Sequence, residues 1–187
     1  MNKNVNVRSI TLVGLGVALN VVGAFIALTL KLPIYLDSIG TIFIACLLGP
    51  KYAVLTGVCG SIVSGMTFDI YSLYFAPVQI STGILAGIMY NKGFLKGIKT
   101  PLGVLIFTIP TSIISACIAA FLFGGITSSG SSYIVQILKT VGMPDVLSVF
   151  ITQIVTDYTD KFICVVLVAL GIKALPRNIK ANIETGR

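Results

Sequence analysis

The sequence predicts an all-α membrane protein, a compact bundle of six transmembrane helices with both termini in the cytoplasm. The first observation is composition, because 56% of the 187 residues are hydrophobic and only 10% are charged. Soluble domains devote about a quarter of their residues to charge. The second observation is length. A spanning helix needs roughly 20 residues, so the chain holds about six spans and leaves no room for a separate soluble domain. We therefore treat residues 1–187 as a single integral-membrane domain.

Hydropathy and turn residues divide the chain into six predicted helices, over residues 9–30, 36–48, 52–66, 77–90, 102–123 and 145–175. The first ends before LPIY, and the turn GPK separates the second from the third. The aromatic loop TFDIYSLYFAP precedes the fourth, which starts at Pro77, as suits a first helical turn. The fifth contains Pro110, which predicts a kink. A connection that begins GGITSSGSS leads to the sixth.

The distribution of lysine and arginine predicts the orientation. Lys31 and Lys139 lie on one side of the predicted bundle. Ten basic residues lie on the other: Lys3, Arg8, Lys51, Lys92, Lys96, Lys99, Lys173, Arg177, Lys180 and Arg187. Because basic loops stay in the cytoplasm, both termini are expected inside, and the aromatic and Gly/Ser loops outside. The net charge of +7 does not indicate nucleic-acid binding, since the basic residues flank hydrophobic segments rather than forming one patch.

The sequence carries no motif of an enzyme, a metal centre or a nucleotide site. Histidine is absent, and Cys46, Cys59, Cys117 and Cys164 each lie alone in a different apolar segment, as buried inert thiols do. There is no HExxH, and no glycine-rich phosphate loop with its lysine. We expect no enzymatic activity, no bound metal and no cofactor on this chain.

Four polar residues interrupt the apolar sixth helix, within QIVTDYTDKFICVVLVALGIKALPR. At about 100° per residue, Gln153, Asp157, Asp160 and Lys161 share an arc of about 100° and form one polar stripe. A charge at the bilayer centre costs roughly 2.5–3.5 kcal/mol or more, so such residues generally face the interior and carry function. A simpler interpretation is that Asp157 and Lys161, four residues apart, neutralise each other and tie the bundle together. That interpretation leaves Asp160 unpaired, so a functional stripe is favoured.

A second polar cluster is predicted on the outer side. It combines aromatic rings, carboxylates and amides: Tyr35, Asp37, Asp69, Tyr71, Tyr74 and Gln79, with Phe75 beside them and Asn20 on the first helix. Taken singly, the tyrosines fit an interfacial aromatic belt. Two acids beside the rings are less expected of a belt. Rings with carboxylates and amides favour a small ligand that has a flat heteroaromatic part and hydrogen-bonding groups.

Small residues mark faces on which helices approach closely. The third helix has Gly57, Gly60, Ser61, Ser64 and Gly65 at helical spacing, and the first has Gly14 and Ala18 four apart. Spacing alone favours packing within the bundle over docking of a partner protein.

Taken in order, these features resemble the substrate-binding S components of energy-coupling factor (ECF) vitamin transporters. The resemblance covers essentially the whole chain. It rests on RSITLVGLGVALN, on LDSIGTIFIACLLGPKYAVLTG, and on DYTDKF followed by a basic tail. It implies a bacterial plasma-membrane subunit that binds a micronutrient from outside. Its partners would be a transmembrane coupling protein and two cytoplasmic ATPases. The ATPases, and not this chain, would use ATP to energise uptake.

The resemblance also implies roles for particular residues. Asp157, Asp160, Lys161, Gln79, Tyr35 and Asp37 match positions where the family binds substrate. Gly14 and Ala18 lie where the family usually has an alanine pair that docks the coupling protein. At these two residues the resemblance therefore favours docking of a partner over packing within the bundle. Without histidine, a nickel or cobalt substrate is disfavoured, and a flavin, a thiamine-like compound or a nucleoside is favoured. Two other functions stay open: a free-standing proton-coupled carrier that uses Asp157 and Asp160 as a relay, and a membrane ligand sensor.

Overall fold

The computed structural model describes residues 7–174, and within that range the chain is helical with no strand. The elements are α1 (Val7–Thr29), α2 (Ile39–Leu48), α3 (Pro50–Thr67), α4 (Tyr71–Tyr74), α5 (Ala76–Asn91), a 3₁₀ turn (Gly97–Lys99), α6 (Thr100–Phe123), α7 (Ser131–Thr140) and α8 (Asp145–Ala174). Lys3, Arg177, Lys180 and Arg187, which contributed to the predicted orientation, lie outside the described residues.

The all-helical class is confirmed, and each of the six predicted segments is a helix whose ends lie within three residues of the predicted ones. The prediction that residues 124–144 form only a connection was wrong, because they contain α7. In this short helix Val135 packs with Ala119 and Val149, while Tyr133 and Ile137 are exposed. The helix is strongly amphipathic, so its periodicity was a signal that the sequence prediction overlooked.

Glycines let two pairs of helices, α1 with α2 and α3 with α5, approach to backbone contact. A side chain on Gly40 of α2 would overlap the backbone oxygen of Gly16 on α1, and one on Gly83 of α5 would meet the backbone of Val54 on α3. The small residues of α3 are also buried inside the bundle. Close approach of this kind stabilises helix pairs where no water is present to drive association.

Three connections gather at one end of the bundle. The Gly130 amide donates to the Leu32 carbonyl oxygen at 3.2 Å. The Tyr71 and Phe123 rings lie 4.8 Å apart, centroid to centroid. These contacts place residues 30–38, 68–75 and 124–130 side by side, and we call this the loop end. The α2–α3 turn and residues 92–99 lie at the other end, which we call the basic end after Lys51, Lys92, Lys96 and Lys99.

The surface of the bundle suits a membrane. α1 and residues 97–123 are long and apolar enough to cross one. On α6, Leu105, Ile109 and Ile113 are exposed, whereas Thr108 and Ser112 are buried. Apolar groups outside and hydroxyls inside reverse the arrangement of a soluble helix. The number of helices that span the membrane stays a prediction.

Candidate functional site

The polar stripe of α8 is buried in the bundle. Asp157, Asp160 and Lys161 are each no more than 2% exposed. The Lys161 ammonium lies 3.8 Å from Asp157 Oδ1 and 3.7 Å from Asp160 Oδ2. Both distances exceed hydrogen-bond length, so these are electrostatic contacts rather than a locked ion pair. The simple pairing of Asp157 with Lys161 is therefore incomplete, since Lys161 is shared between the two carboxylates.

Asp160 holds the α1–α2 loop onto α8. Its Oδ1 accepts hydrogen bonds from the backbone amides of Tyr35, at 3.0 Å, and Leu36, at 2.7 Å. Leu36 has a φ of 52°, a left-handed conformation that non-glycine residues adopt only when the surroundings require it. A carboxylate that accepts two backbone amides can maintain such a loop. Asp160 thus positions the α1–α2 loop, which carries Tyr35 and Asp37.

Tyr35 links this loop to two further helices. Its hydroxyl donates to Gln153 Oε1 on α8 at 3.0 Å and lies 3.0 Å from Ser131 Oγ on α7. Burial raises the pKa of the Tyr35 hydroxyl, and the nearby Asp157 carboxylate raises it further. The hydroxyl therefore stays protonated and neutral, and it acts as a fixed donor toward Gln153.

A cleft of about 450 Å³, partly open to solvent, lies at the loop end. The stripe and the loops meet in its lining, which consists of Tyr35, Asp37, Asp69, Tyr71, Ser72, Phe75, Val78, Ser115, Thr127, Ser128, Asp157 and Lys161. An adjoining space of about 320 Å³ shares Tyr35, Asp37, Asp69, Ser72 and Ser128 with it. The two spaces form one site, which we call the loop-end cleft.

The charges of the loop-end cleft are unbalanced. Three carboxylates, those of Asp37, Asp69 and Asp157, face a single ammonium, that of Lys161. Asp157 Oδ2 is buried and has no hydrogen-bond partner among the described residues. An unpaired buried acceptor is costly unless a bound group supplies the donor. The cleft therefore suits a ligand that brings N–H or O–H donors, and disfavours an anion.

Several predicted residues lie outside this cleft. Asn20 accepts from the Gly40 amide at 2.7 Å and donates to Thr41 Oγ1 at 2.8 Å, so its polar atoms serve the start of α2. Gln79 accepts from Thr41 Oγ1 at 2.9 Å and donates to the Asp37 carbonyl oxygen at 3.2 Å. These amides border a further small space, which shares Asp37 and Ser72 with the loop-end cleft. Asn20 and Gln79 support the cleft indirectly, because they hold the segment that carries Asp37.

Tyr74 and Gln153 are also absent from the cleft lining. Tyr74 is 50% exposed, with its ring 5.2 Å from that of Phe123. Gln153 acts through Tyr35, as described above. Their predicted ligand contacts stay predictions.

In the larger of the two spaces, sequence reasoning missed five lining residues: Ser72, Val78, Ser115, Thr127 and Ser128. Thr127 and Ser128 belong to the Gly/Ser segment, which was interpreted only as a connection. Its density of hydroxyls was the available signal, since hydroxyls near an outer loop can orient a ligand. Ser115 lies on α6, and nothing in its local sequence distinguishes it from the other small residues there.

The pair on α1 lies on the outer face of that helix. Gly14 and Ala18 are both exposed, and a side chain on Gly14 would meet no atom within 4 Å. The neighbouring residues Gly16, Asn20 and Gly23 are buried and face inward. α1 therefore has a packed face and an unpacked face, both lined by small residues.

Fold and site define a class, an all-helical membrane protein with a buried polar site opening at one end. Residues 8–108, just over half of the chain, match the family described as "ECF transporter, substrate-specific component". The chain belongs to this family, and it is a membrane-embedded substrate-binding subunit of an ECF transporter. Such subunits serve transport rather than enzymatic catalysis. No curated protein and no solved structure matches the chain. Asp157 and Lys161 lie beyond the matched residues, so their assignment to the site rests on geometry.

Proposed function

We propose that the loop-end cleft binds a neutral or cationic heteroaromatic micronutrient, a compound of vitamin, flavin, thiamine or nucleoside type, for ATP-dependent uptake. The observation that carries the proposal is the composition of the cleft in a member of this family. Tyr35, Tyr71 and Phe75 supply ring faces, and Asp157 supplies an unpaired buried acceptor. Rings recognise a flat ligand by stacking, and a few fixed polar groups orient it.

Charge narrows the class of ligand further. A dianionic ligand would enter a cleft with three carboxylates and one lysine, and the like charges would repel it. A ligand with amino or hydroxyl groups would instead satisfy Asp157 Oδ2 and complement Asp37 and Asp69. Lys161, held at 3.7–3.8 Å from two carboxylates, retains donor capacity for a ligand carbonyl or ring nitrogen.

The transport role follows from family membership. In this proposal the chain spans the bacterial cytoplasmic membrane several times, with the loop end outside and the basic end inside. It binds no cofactor itself, and a transmembrane coupling protein and two cytoplasmic ATPases energise uptake. Gly14 and Ala18 form the docking position for the coupling protein, which their exposure supports.

The binding proposal is tested by native mass spectrometry of the protein purified from its own host, which should show a co-purified small molecule of this class. Binding of that molecule is then measured without ATP, by equilibrium dialysis. Asp157→Asn and Lys161→Ala should each weaken binding by well over ~1 kcal/mol, the value typical of an exposed pair. Asp145→Asn, which changes an exposed carboxylate of the same helix, is the matched control and should bind as the wild type does. Unchanged affinity in both cleft variants would refute the site.

The transport proposal has its own test. Uptake should occur only in cells that also express the coupling protein and both ATPases. Uptake by vesicles that contain this chain alone, driven by a pH gradient, would instead indicate the proton-coupled carrier with Asp157 and Asp160 as its relay.

A further inference from the structure

The two buried carboxylates of α8 are not fully compensated by the buried ammonium beside them. Asp157, Asp160 and Lys161 are each no more than 2% exposed, so the interior keeps an excess of negative charge when both acids are ionised. Asp160 accepts the backbone amides of Tyr35 and Leu36, which stabilise its charge. Asp157 lacks such support. Its Oδ1 lies 3.8 Å from Lys161, and its Oδ2 has no hydrogen-bond partner among residues 7–174.

The neighbouring side chains do not supply the missing positive charge. Ser112 of α6 lies beside Asp157, but a hydroxyl offers only a dipole, whereas a buried carboxylate also needs a counter-charge. Among the described residues that line the loop-end cleft, Lys161 is the only lysine or arginine. Asp37 and Asp69 add two further carboxylates to the same lining. The potential in the cleft therefore favours a cation.

Three aromatic rings line the cleft with these carboxylates, those of Tyr35, Tyr71 and Phe75. Contacts elsewhere hold them in place, because the Tyr35 hydroxyl donates to Gln153 and the other two rings pack against Phe123. The face of an aromatic ring carries partial negative charge and attracts cations. Ring faces beside an unpaired buried carboxylate are a combination that recognises organic cations.

We propose that the ligand of the loop-end cleft is a flat organic cation whose positive charge lies on an N–H group, such as an amidinium or a protonated amino-heterocycle. Its N–H group donates to Asp157 Oδ2, and its ring lies against Tyr71 and Phe75. This inference rests on the proposed function and narrows it. A neutral heteroaromatic compound would supply the donor and leave the excess charge of Asp157 uncompensated.

An inorganic cation fits the cleft less well. A hard cation such as Ca²⁺ takes about six to eight oxygen ligands. Residues 7–174 contain no group of three or more acidic, histidine or cysteine side chains that could hold a metal ion together. Ring faces also offer such an ion no oxygen ligand. The rings and the single unpaired carboxylate therefore favour an organic cation.

Three probes of one shape and different charge test the proposal. Benzamidine is a flat cation with N–H donors, benzamide is its neutral counterpart, and benzoate is the corresponding anion. Each is titrated into the dialysed full-length protein in a neutral detergent, and NMR line broadening of its ring protons gives the dissociation constant. We expect benzamidine to bind about tenfold tighter than benzamide, as a desolvated cation–π contact provides, and benzoate to bind most weakly.

Charge variants show whether Asp157 provides that preference. In Asp157→Asn, benzamidine and benzamide should bind equally. Asp145→Asn, at an exposed carboxylate of the same helix, is the matched control and should keep the preference for benzamidine. If Asp157→Asn fails to fold, Asp37→Asn removes a partly exposed carboxylate of the same cleft and should also lower the preference.

The outcomes separate this inference from the proposed function. Equal binding of benzamidine and benzamide to the wild type, with both weakened by Asp157→Asn, would overturn the cation and leave the loop-end cleft as the binding site. A preference for benzamidine that persists in both Asp157→Asn and Asp37→Asn would also overturn it, because another group would then hold the charge. Binding of none of the three probes would refute it as well, whereas native mass spectrometry tests the proposed function independently.

Discussion

Asp160→Ala is the substitution that best tests how the loop-end cleft is assembled. Asp160 is fully buried, and it accepts the Tyr35 and Leu36 amides while facing Lys161. Alanine removes the acceptor of both amides and one of the two carboxylates near the ammonium. The α1–α2 loop should then lose its anchor on α8, even though Asp160 itself does not line the cleft.

The magnitude follows from these contacts. Each buried amide left without an acceptor costs about 1–3 kcal/mol, so the two together cost about 2–6 kcal/mol. The lost attraction at 3.7 Å to Lys161 adds to this, and relief of repulsion with Asp157 offsets part of it. Breaking a buried charge pair by removing one partner typically costs about 3–5 kcal/mol. We therefore expect a loss of about 3–5 kcal/mol, equivalent to a fall of about 10 °C in melting temperature for a chain of this length.

The assay uses the protein's own thiols. Cys46 and Cys164 are 6% and 0% exposed, so a thiol-reactive fluorogenic dye labels them only on unfolding of the detergent-purified protein. Asp145→Ala is the control, because its carboxylate is 77% exposed and its contact with Lys139 should contribute less than about 1 kcal/mol. Asp160→Asn keeps an acceptor oxygen without the charge and should fall between the two. Equal melting temperatures for Asp160→Ala and Asp145→Ala would refute the anchoring role.

Three further substitutions separate the site, the fold and the docking face. Tyr35→Phe removes one buried hydroxyl with two partners, so the affinity for the co-purified ligand should fall about five- to tenfold, measured by equilibrium dialysis; an unchanged dissociation constant would place this hydroxyl outside the binding mechanism. Gly40→Ala should destabilise the fold by several kcal/mol in the dye assay, since its methyl group would overlap the backbone of Gly16; a wild-type melting temperature would contradict the close α1–α2 contact. Gly14→Leu should preserve ligand binding and abolish uptake with the ECF module. The control is Gly171→Leu, at another exposed glycine with open space around it, which should leave ligand binding and uptake intact. Normal uptake by Gly14→Leu would rule out docking at that position.

The sequence predicted the features that depend on one helix at a time. A chain with so little charge and such long apolar runs must lie in a lipid bilayer, where a helix satisfies its own backbone hydrogen bonds. These features therefore predicted the helical class and the approximate helix ends. The stripe on α8 was also readable, because 100° per residue fixes which side chains share a face. Spacing also put Gly14 and Ala18 on one face of α1, but only the structure shows that this face is exposed while Gly16, Asn20 and Gly23 are buried.

Tertiary structure decided how those faces are used. Asp157 and Asp160 belong to one stripe, yet Asp157 lines the loop-end cleft and Asp160 binds the amides of a loop 124–125 residues away in sequence. Tyr35 and Gln153, 118 residues apart, meet for the same reason. Local spacing fixes direction within a helix, but the partner across the bundle depends on how the helices pack. The sequence by itself therefore predicted that the charges of α8 face inward, and only the packed bundle determined which of them line the loop-end cleft.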